Sequence, residues 1–224
     1  MRKLVQGIVE FRRSRRPDYA ETFSRLALRQ KPDALYIACS DSRVQANVFA
    51  STEPGDLFVV RNPGNLVSPA GPDGKSLSDE SEAAAIEFAV GQLEVRDIIV
   101  CGHSSCGAMS ALLRGRESVS APHLRSWLRH AERALERVPD RTAVEAVDRL
   151  SQANVLLQLE HLRTYPLVER AEKESGLRLH AFWFDIGNAE VLAYDPGQDR
   201  FVPLDERQAE RLARSASVHS GGAL

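Results

Sequence analysis

The apolar positions change period several times along the chain, and each change marks a predicted element. Leu4, Ile8 and Phe11 recur at helical spacing, as do Phe23, Leu26 and Leu28 after Pro17-Asp18, so residues 1–28 predict two helices. Such an arm carries an apolar stripe that needs another surface to cover it. A short continuous apolar run follows at 34–38, led by Pro32-Asp33, and a second at 57–60 lies between Gly55-Asp56 and Asn62-Pro63-Gly64. Residues 79–94 return to a helical pattern through Ala84, Ile86, Phe88, Val90 and Leu93, and a third apolar run at 97–101 ends on Gly102. A short helix is predicted over 106–114 and longer ones over 122–137 and 143–163, then a strand pair over 179–186 and 191–194 turning at Gly187-Asn188. Continuous apolar strands separated by helices predict an α/β fold, a mostly parallel central sheet flanked by helices with an N-terminal helical arm. No internal repeat interrupts this pattern. The expected organisation is one domain over 1–204, its arm at 1–30, and a partly flexible tail over 205–224.

Composition narrows the function. The 224 residues, 43% hydrophobic, suffice for one substantial core. A net charge of −2 offers no footprint for nucleic acid or an anionic membrane, so neither is expected as a partner. No apolar run approaches the ~18 residues of a membrane span, and the first residues lack a secretory signal pattern. A cytoplasmic protein is expected, and Cys39, Cys101 and Cys106 then read as free thiols.

Two segments begin where predicted strands end: Cys39-Ser-Asp-Ser-Arg43 and Gly102-His-Ser-Ser-Cys-Gly107. Ligand sites of open parallel sheets gather beyond the carboxyl ends of the strands, so both fall on the functional edge. Two thiolates and an imidazole suit zinc, with a fourth position left exchangeable as in catalytic sites. Asp41 is a candidate for that fourth position. Two residues on, Arg43 can hold the Asp41 carboxylate in a bidentate pair. Taken singly, each of these residues has an ordinary structural reading, a core thiol or a satisfied core histidine. Cys101, flanked by Ile98, Ile99 and Val100, reads as a small buried hydrophobe. Gly102 and Gly107 read as permitting a tight turn around the metal.

CSDSR followed by GHSSCG resembles the β-class carbonic anhydrases. The resemblance extends through EPGDLFVVRNPGN at 53–65, the 83–103 unit, NVLLQLEHLRTYP at 154–166 and HAFWFDI at 180–186, over roughly residues 1–204. It is strongest to bacterial forms associated with cyanate metabolism and carboxysomes. It implies reversible hydration of CO2 to bicarbonate and a proton, with hydroxide generated at zinc attacking the carbon. Zinc would be held, one ion per subunit, by Cys39, His103 and Cys106. Asp41 and Arg43 would act as the catalytic dyad, and Gln30 and Gly107 would lie on the substrate side. A homodimer or larger homo-oligomer is implied, with N-terminal helices reaching across, in the cytoplasm or a carboxysome within it.

Where bicarbonate-gated members carry Trp, Arg and Tyr, this chain has Tyr36, Arg61 and Phe184, so gating of that kind is not expected. Phe88 replaces the usual active-site tyrosine of ungated members, Ser81 falls where glycines are common, and Pro63 replaces an alanine. One lost hydroxyl donor would slow an enzyme by roughly tenfold. Two other readings stand beside hydration: hydrolysis of a related small substrate such as carbon disulfide or carbonyl sulfide, and a catalytically weak, zinc-stabilised scaffold or interaction protein. The remaining histidines, His123, His130, His161, His180 and His219, are expected on helix surfaces, a strand start or the tail. Arg12, Arg13, Arg15 and Arg16 are expected to form a solvated or intersubunit surface.

Overall fold

A computed structural model describes residues 1–78 and 80–218, with side chains to residue 212. The N-terminal arm comprises α1 (Arg2–Glu10), one π-helical turn at Phe11–Arg15 and α2 (Arg16–Leu26). The chain does not break at Pro17-Asp18 as the pattern suggested. Pro17 sits in the first turn of α2, where its missing N–H costs nothing. None of the arm's helical residues is buried.

The sheet is built from β1 (Ala34–Cys39), β2 (Leu57–Asn62), β3 (Asp97–His103), β4 (Arg178–Asp185), β5 (Glu190–Asp195) and β6 (Arg200–Pro203), in spatial order β2-β1-β3-β4-β5-β6. The first four in that order run parallel, and β5 and β6 add antiparallel. The sheet is therefore mixed, because two tight hairpins extend a parallel centre. All six residues of β1 are buried, which explains its unbroken apolar run.

Between the strands lie α3 (Ala46–Phe49), α4 (Glu80–Glu87) with a π turn at Phe88–Gln92, α5 (Gly107–Leu113), α6 (Pro122–Trp127) continued as 3₁₀ helix over Leu128–Arg137, α7 (Ala146–Leu162) and α8 (Pro166–Glu174). The patterning missed α3, α8 and β6, all short. The segment expected as a partly flexible tail starts with α9 (Glu206–Val218), whose Arg211 pairs with the buried Asp195 at 2.6 Å. Residues 219–224, with His219, lie outside the described residues.

Leu35, Ile37, Ile98, Val100 and Ala181 cover one sheet face and meet Val155, Leu159 and Leu162 of α7. Tyr36, Ala38, Cys101 and Phe184 populate the other, against Val44 and Phe49. A further cluster joins Met109, Leu112, Leu128, Ala131 and Leu150 to Cys39 and Cys106. The two chemically distinctive thiols thus sit in a packed apolar layer at the end of the sheet. Cys101 is fully buried, and burial pushes its thiol up to about 12. That agrees with its reading as a core residue.

Candidate metal centre

Adjacent parallel strands β1 and β3 end at the same edge of the sheet, on Cys39 and His103. Beyond β3 the chain turns sharply at Ser105, which adopts a left-handed conformation (φ 54°), and enters α5 with Cys106 as its N-cap. This turn carries Cys106 back toward Cys39. The ligand atoms of Cys39, His103 and Cys106 all lie within 4.8 Å of one another, and all three residues are buried. The juxtaposition expected from sequence is present, although Cys39 precedes the other two by more than sixty residues.

The imidazole is held from several sides. Its Nδ1 lies 2.9 Å from the Ser104 carbonyl, so Nε2 is the nitrogen left to face the thiols. That Nε2 is buried with no hydrogen-bond partner. An orphaned buried nitrogen is costly in a folded protein unless something occupies the space before it. The Ser151 hydroxyl of α7 donates to the His103 carbonyl at 2.8 Å and accepts from the His103 amide at 3.3 Å and from the Trp183 indole N–H at 3.1 Å.

The two thiols differ. Hydrogen bonding from Cys106 and the amides of Gly64 and Asp41, against the opposing effect of burial, pulls the Cys39 thiol down. Its Sγ accepts from the Gly64 N–H at 3.3 Å. Cys106 is pushed up by the neighbouring Cys39 sulfur and by burial, while the amides of Ala108 and Met109 at the start of α5 favour its thiolate. Without a cation, the Cys39 sulfur opposes ionisation of Cys106. A divalent ion removes that conflict. Two sulfurs and one imidazole nitrogen, the orphaned Nε2 of His103, fit zinc.

Asp41 and Arg43 form the pair the spacing suggested. Arg43 Nε donates to Asp41 Oδ1 at 2.9 Å and Nη2 to Oδ2 at 2.8 Å, with the Arg43 amide adding a third bond at 3.0 Å. This guanidinium holds the Asp41 carboxyl well below the usual carboxylate range. Arg43 also reaches the Ser105 carbonyl at 3.2 Å and so ties the two motifs together. From the other side, the Ser105 amide donates to Asp148 of α7 at 2.6 Å. Asp41 Oδ2 stands 3.9 Å from His103 Nε2, beside the metal position, with both oxygens engaged by Arg43.

Arg61 spends its guanidinium on the main chain, donating to the Cys39 carbonyl at 2.8 Å and the Asp41 carbonyl at 2.7 Å. Phe184 stacks on Phe49 with ring centroids 4.5 Å apart, and Tyr36 is buried. Phe88 is partly exposed, and its ring meets Phe58 at 5.7 Å. Gln30 is exposed and makes no hydrogen bond among the described residues. Gly107 follows Cys106 directly, and open space surrounds the position a Cβ would take. The two glycines therefore differ in reason. A Cβ on Gly102 would lie 2.6 Å from Val155 and 3.1 Å from Ser151, so that glycine admits α7 against β3 rather than making a turn.

Sequence reasoning missed a polar ladder on α7. Asn154 donates to the Gly64 carbonyl at 3.0 Å, and Gln158 accepts from the Val67 amide at 2.8 Å while donating to Asn154 and to the His130 carbonyl. His161 Nδ1 lies 2.8 Å from the Val67 carbonyl. These side chains replace a second strand as hydrogen-bond partners for the loop after β2. The signal was there: Ser151, Asn154, Gln158 and His161 recur at helical spacing within an apolar helix. His130 and His161 are buried, contrary to the expected surface positions, because this ladder and the core enclose them.

The sequence model of the carbonic anhydrase family matches residues 34–191. A carbonic anhydrase of Pseudomonas aeruginosa is 42% identical over 214 residues, covering 94% of this chain and 95% of that protein. One from Synechocystis is 38% identical, covering 92% and 76%. Among solved structures, the β-carbonic anhydrase CcaA superposes with a TM-score of 0.85 at 37% identity over 92% of this chain and 93% of that one. A tetrameric β-carbonic anhydrase from Sordaria macrospora gives 0.74 at 31% over 86% and 95%. A thiol–imidazole–thiol cluster at two adjacent strand ends, on this fold and with these relatives, leads to one assignment: the chain belongs to the carbonic anhydrase family, in its β class, and is an enzyme of CO2 hydration.

Proposed function

We propose that Cys39, His103 and Cys106 hold one zinc ion per chain, and that Asp41 and Arg43 are the groups that orient water for the hydration of CO2. The observation that carries this is the buried, unpartnered His103 Nε2 facing two thiols whose ligand atoms lie within 4.8 Å of it. Zinc bound there supplies a Lewis acid that lowers the pKa of water from 15.7 toward about 7. The protein's own groups do the rest. Ionised and acceptor-only, Asp41 can take a hydrogen bond from water beside the metal position, and it cannot release its carboxylate to that position without breaking two bonds to Arg43. This favours Asp41 as an orienting base held off the metal over Asp41 as a fourth ligand. Arg43, tethered also to Ser105, keeps the carboxylate aimed. Burial of the thiols excludes bulk water from the sulfurs.

Gly107, beside Cys106 with open space at its Cβ position, is proposed on the substrate side, and Gln30 is proposed there from the family resemblance alone. A homo-oligomer is proposed as the working form. Leu4, Val5, Ile8 and Val9 of α1 are each at least half exposed in the single chain and need a cover. No helix among the described residues is long and apolar enough to cross a membrane, and a cytoplasmic or carboxysomal location is proposed with the class.

Metal analysis and stopped-flow CO2 hydration on the purified protein test the assignment together. One zinc per chain and a rate far above buffer are expected. A rate at the buffer background with zinc bound would reject catalysis, and a fully active protein without metal would reject the site.

A further inference from the structure

The Pro63–Gly64 peptide unit is gripped at both ends. Its carbonyl accepts from the Trp127 indole N–H at 2.9 Å, and its N–H donates to Cys39 Sγ at 3.3 Å. The next carbonyl, that of Gly64, accepts from Asn154 at 3.0 Å in the buried ladder of α7. Gly64 has φ +87°, and a Cβ there would lie 3.1 Å from Ala108 and 3.2 Å from Met109, so glycine is required for the amide to come this close to the sulfur. Trp127 lies 64 residues further along the chain, at the end of α6. Neither the motifs nor the proposed chemistry gives it a task.

We propose that Trp127 is a positioning residue of the metal centre: its indole N–H locks and polarises the Pro63–Gly64 peptide, so that the Gly64 N–H withdraws charge from the Cys39 sulfur. Two physical effects support this. Hydrogen bonds in series strengthen one another across a peptide, because a donor at the carbonyl makes the N–H a better donor. Outer-shell bonds set the donor strength of a ligand, and their loss costs ten- to a hundredfold in metal affinity or activity. Two thiolates lower the net charge of a bound zinc ion more than imidazoles do. A bond that drains charge from one sulfur restores acidity to the metal without changing a ligand. The inference rests on the reading of Cys39 as a zinc ligand.

The test compares wild type with Trp127→Phe, which keeps an aromatic ring and removes the N–H. Zinc affinity is measured by competition with a chromogenic chelator, and the sulfur by the thiolate-to-metal charge-transfer band of the cobalt(II)-loaded protein. In the variant, zinc should bind about tenfold more weakly, the low end for an outer-shell partner, because the unlocked loop no longer holds the sulfur in place and this outweighs its stronger donation. Its band should move to longer wavelength because the sulfur is more easily oxidised. The midpoint of the pH–rate profile should rise, since a more donating sulfur makes the metal less acidic. Replacing the Trp127 indole N–H by sulfur, with a thianaphthenyl side chain at that one position, gives the same comparison without loss of shape if the phenylalanine variant does not fold. Pro63→Ala, which keeps the carbonyl, should leave the band in place. A normal wild-type band that neither change at Trp127 moves, with zinc affinity within twofold, overturns the inference alone. A wild-type protein with no cobalt–thiolate band overturns the metal site with it.

Discussion

The Asp41 carboxylate accepts three bonds from one arginine residue, which keeps it ionised and pointed and leaves acceptor capacity for water. Asp41→Asn keeps the size, removes the charge and offers the guanidinium one oxygen instead of two. Loss of a charge-assisted bond of about 1.5–3 kcal/mol predicts a fall in kcat/KM of about 10- to 100-fold with zinc content unchanged. Parallel turnover and metal assays check it; unchanged turnover would remove Asp41 from the mechanism. Because Arg43 holds this carboxyl far down, its linked stability is present at neutral pH and is lost only as pH falls below the ordinary aspartate range. His130 loses stability in the same direction for a different reason. Burial, with Arg129 and His161 nearby, pulls its imidazole from 6.5 down to about 4. The unfolded chain then takes up a proton near 6.5 that the folded one refuses, so stability is full above that value. It is lost as pH falls toward 4, by up to about 3 kcal/mol. Urea midpoints from pH 7 to 4 should fall less steeply in His130→Phe than in wild type. Identical slopes would show that His130 is not the residue responsible.

At the scale of elements, α7 does most of the positioning. It meets β3 so closely that residue 102 has no room for a side chain, and from there Ser151 brackets His103. Gly102→Ala should cost about 1–3 kcal/mol by overpacking against Val155. The urea midpoint should fall accordingly, and bound zinc should be lost at lower chelator concentration because the backbone that holds His103 shifts. No change in either would mean that the helix moves aside without strain. Strand ends and motif spacing were legible in sequence because buried parallel strands are read as unbroken apolar runs. The ladder of Asn154, Gln158 and His161 was not. Their partners are main-chain groups about ninety residues earlier, and an amide in a helix announces a need for hydrogen bonds without saying where they are met. The short α3 and β6, of four residues each, fell below the length at which a period can be recognised. The arm's π turn, likewise, has no signature in hydrophobic spacing.

At the scale of the whole molecule, the N-terminal arm presents an uncovered apolar stripe. Ile8 in α1 is 61% exposed, and Leu4 and Val9 on the same helix are similar. The proposed association of copies would cover this stripe, and Ile8→Glu should then shift the protein to smaller species in analytical ultracentrifugation. An unchanged mass would place the interface elsewhere. The sequence by itself determined the class of fold, which residues are the candidate metal ligands and the pairing of Asp41 with Arg43. These depend on residue type and on contacts a few positions apart, which periodicity and spacing encode. The tertiary structure alone decided that Cys39 meets Cys106, that Arg61 braces the backbone of the first motif, and that α7 and Trp127 hold the loop beside the sulfur. Those are contacts between segments distant along the chain, fixed by which strands pair and which helix packs on them. Their energies belong to burial and to the satisfaction of buried polar groups, and neither exists until the chain has closed around them.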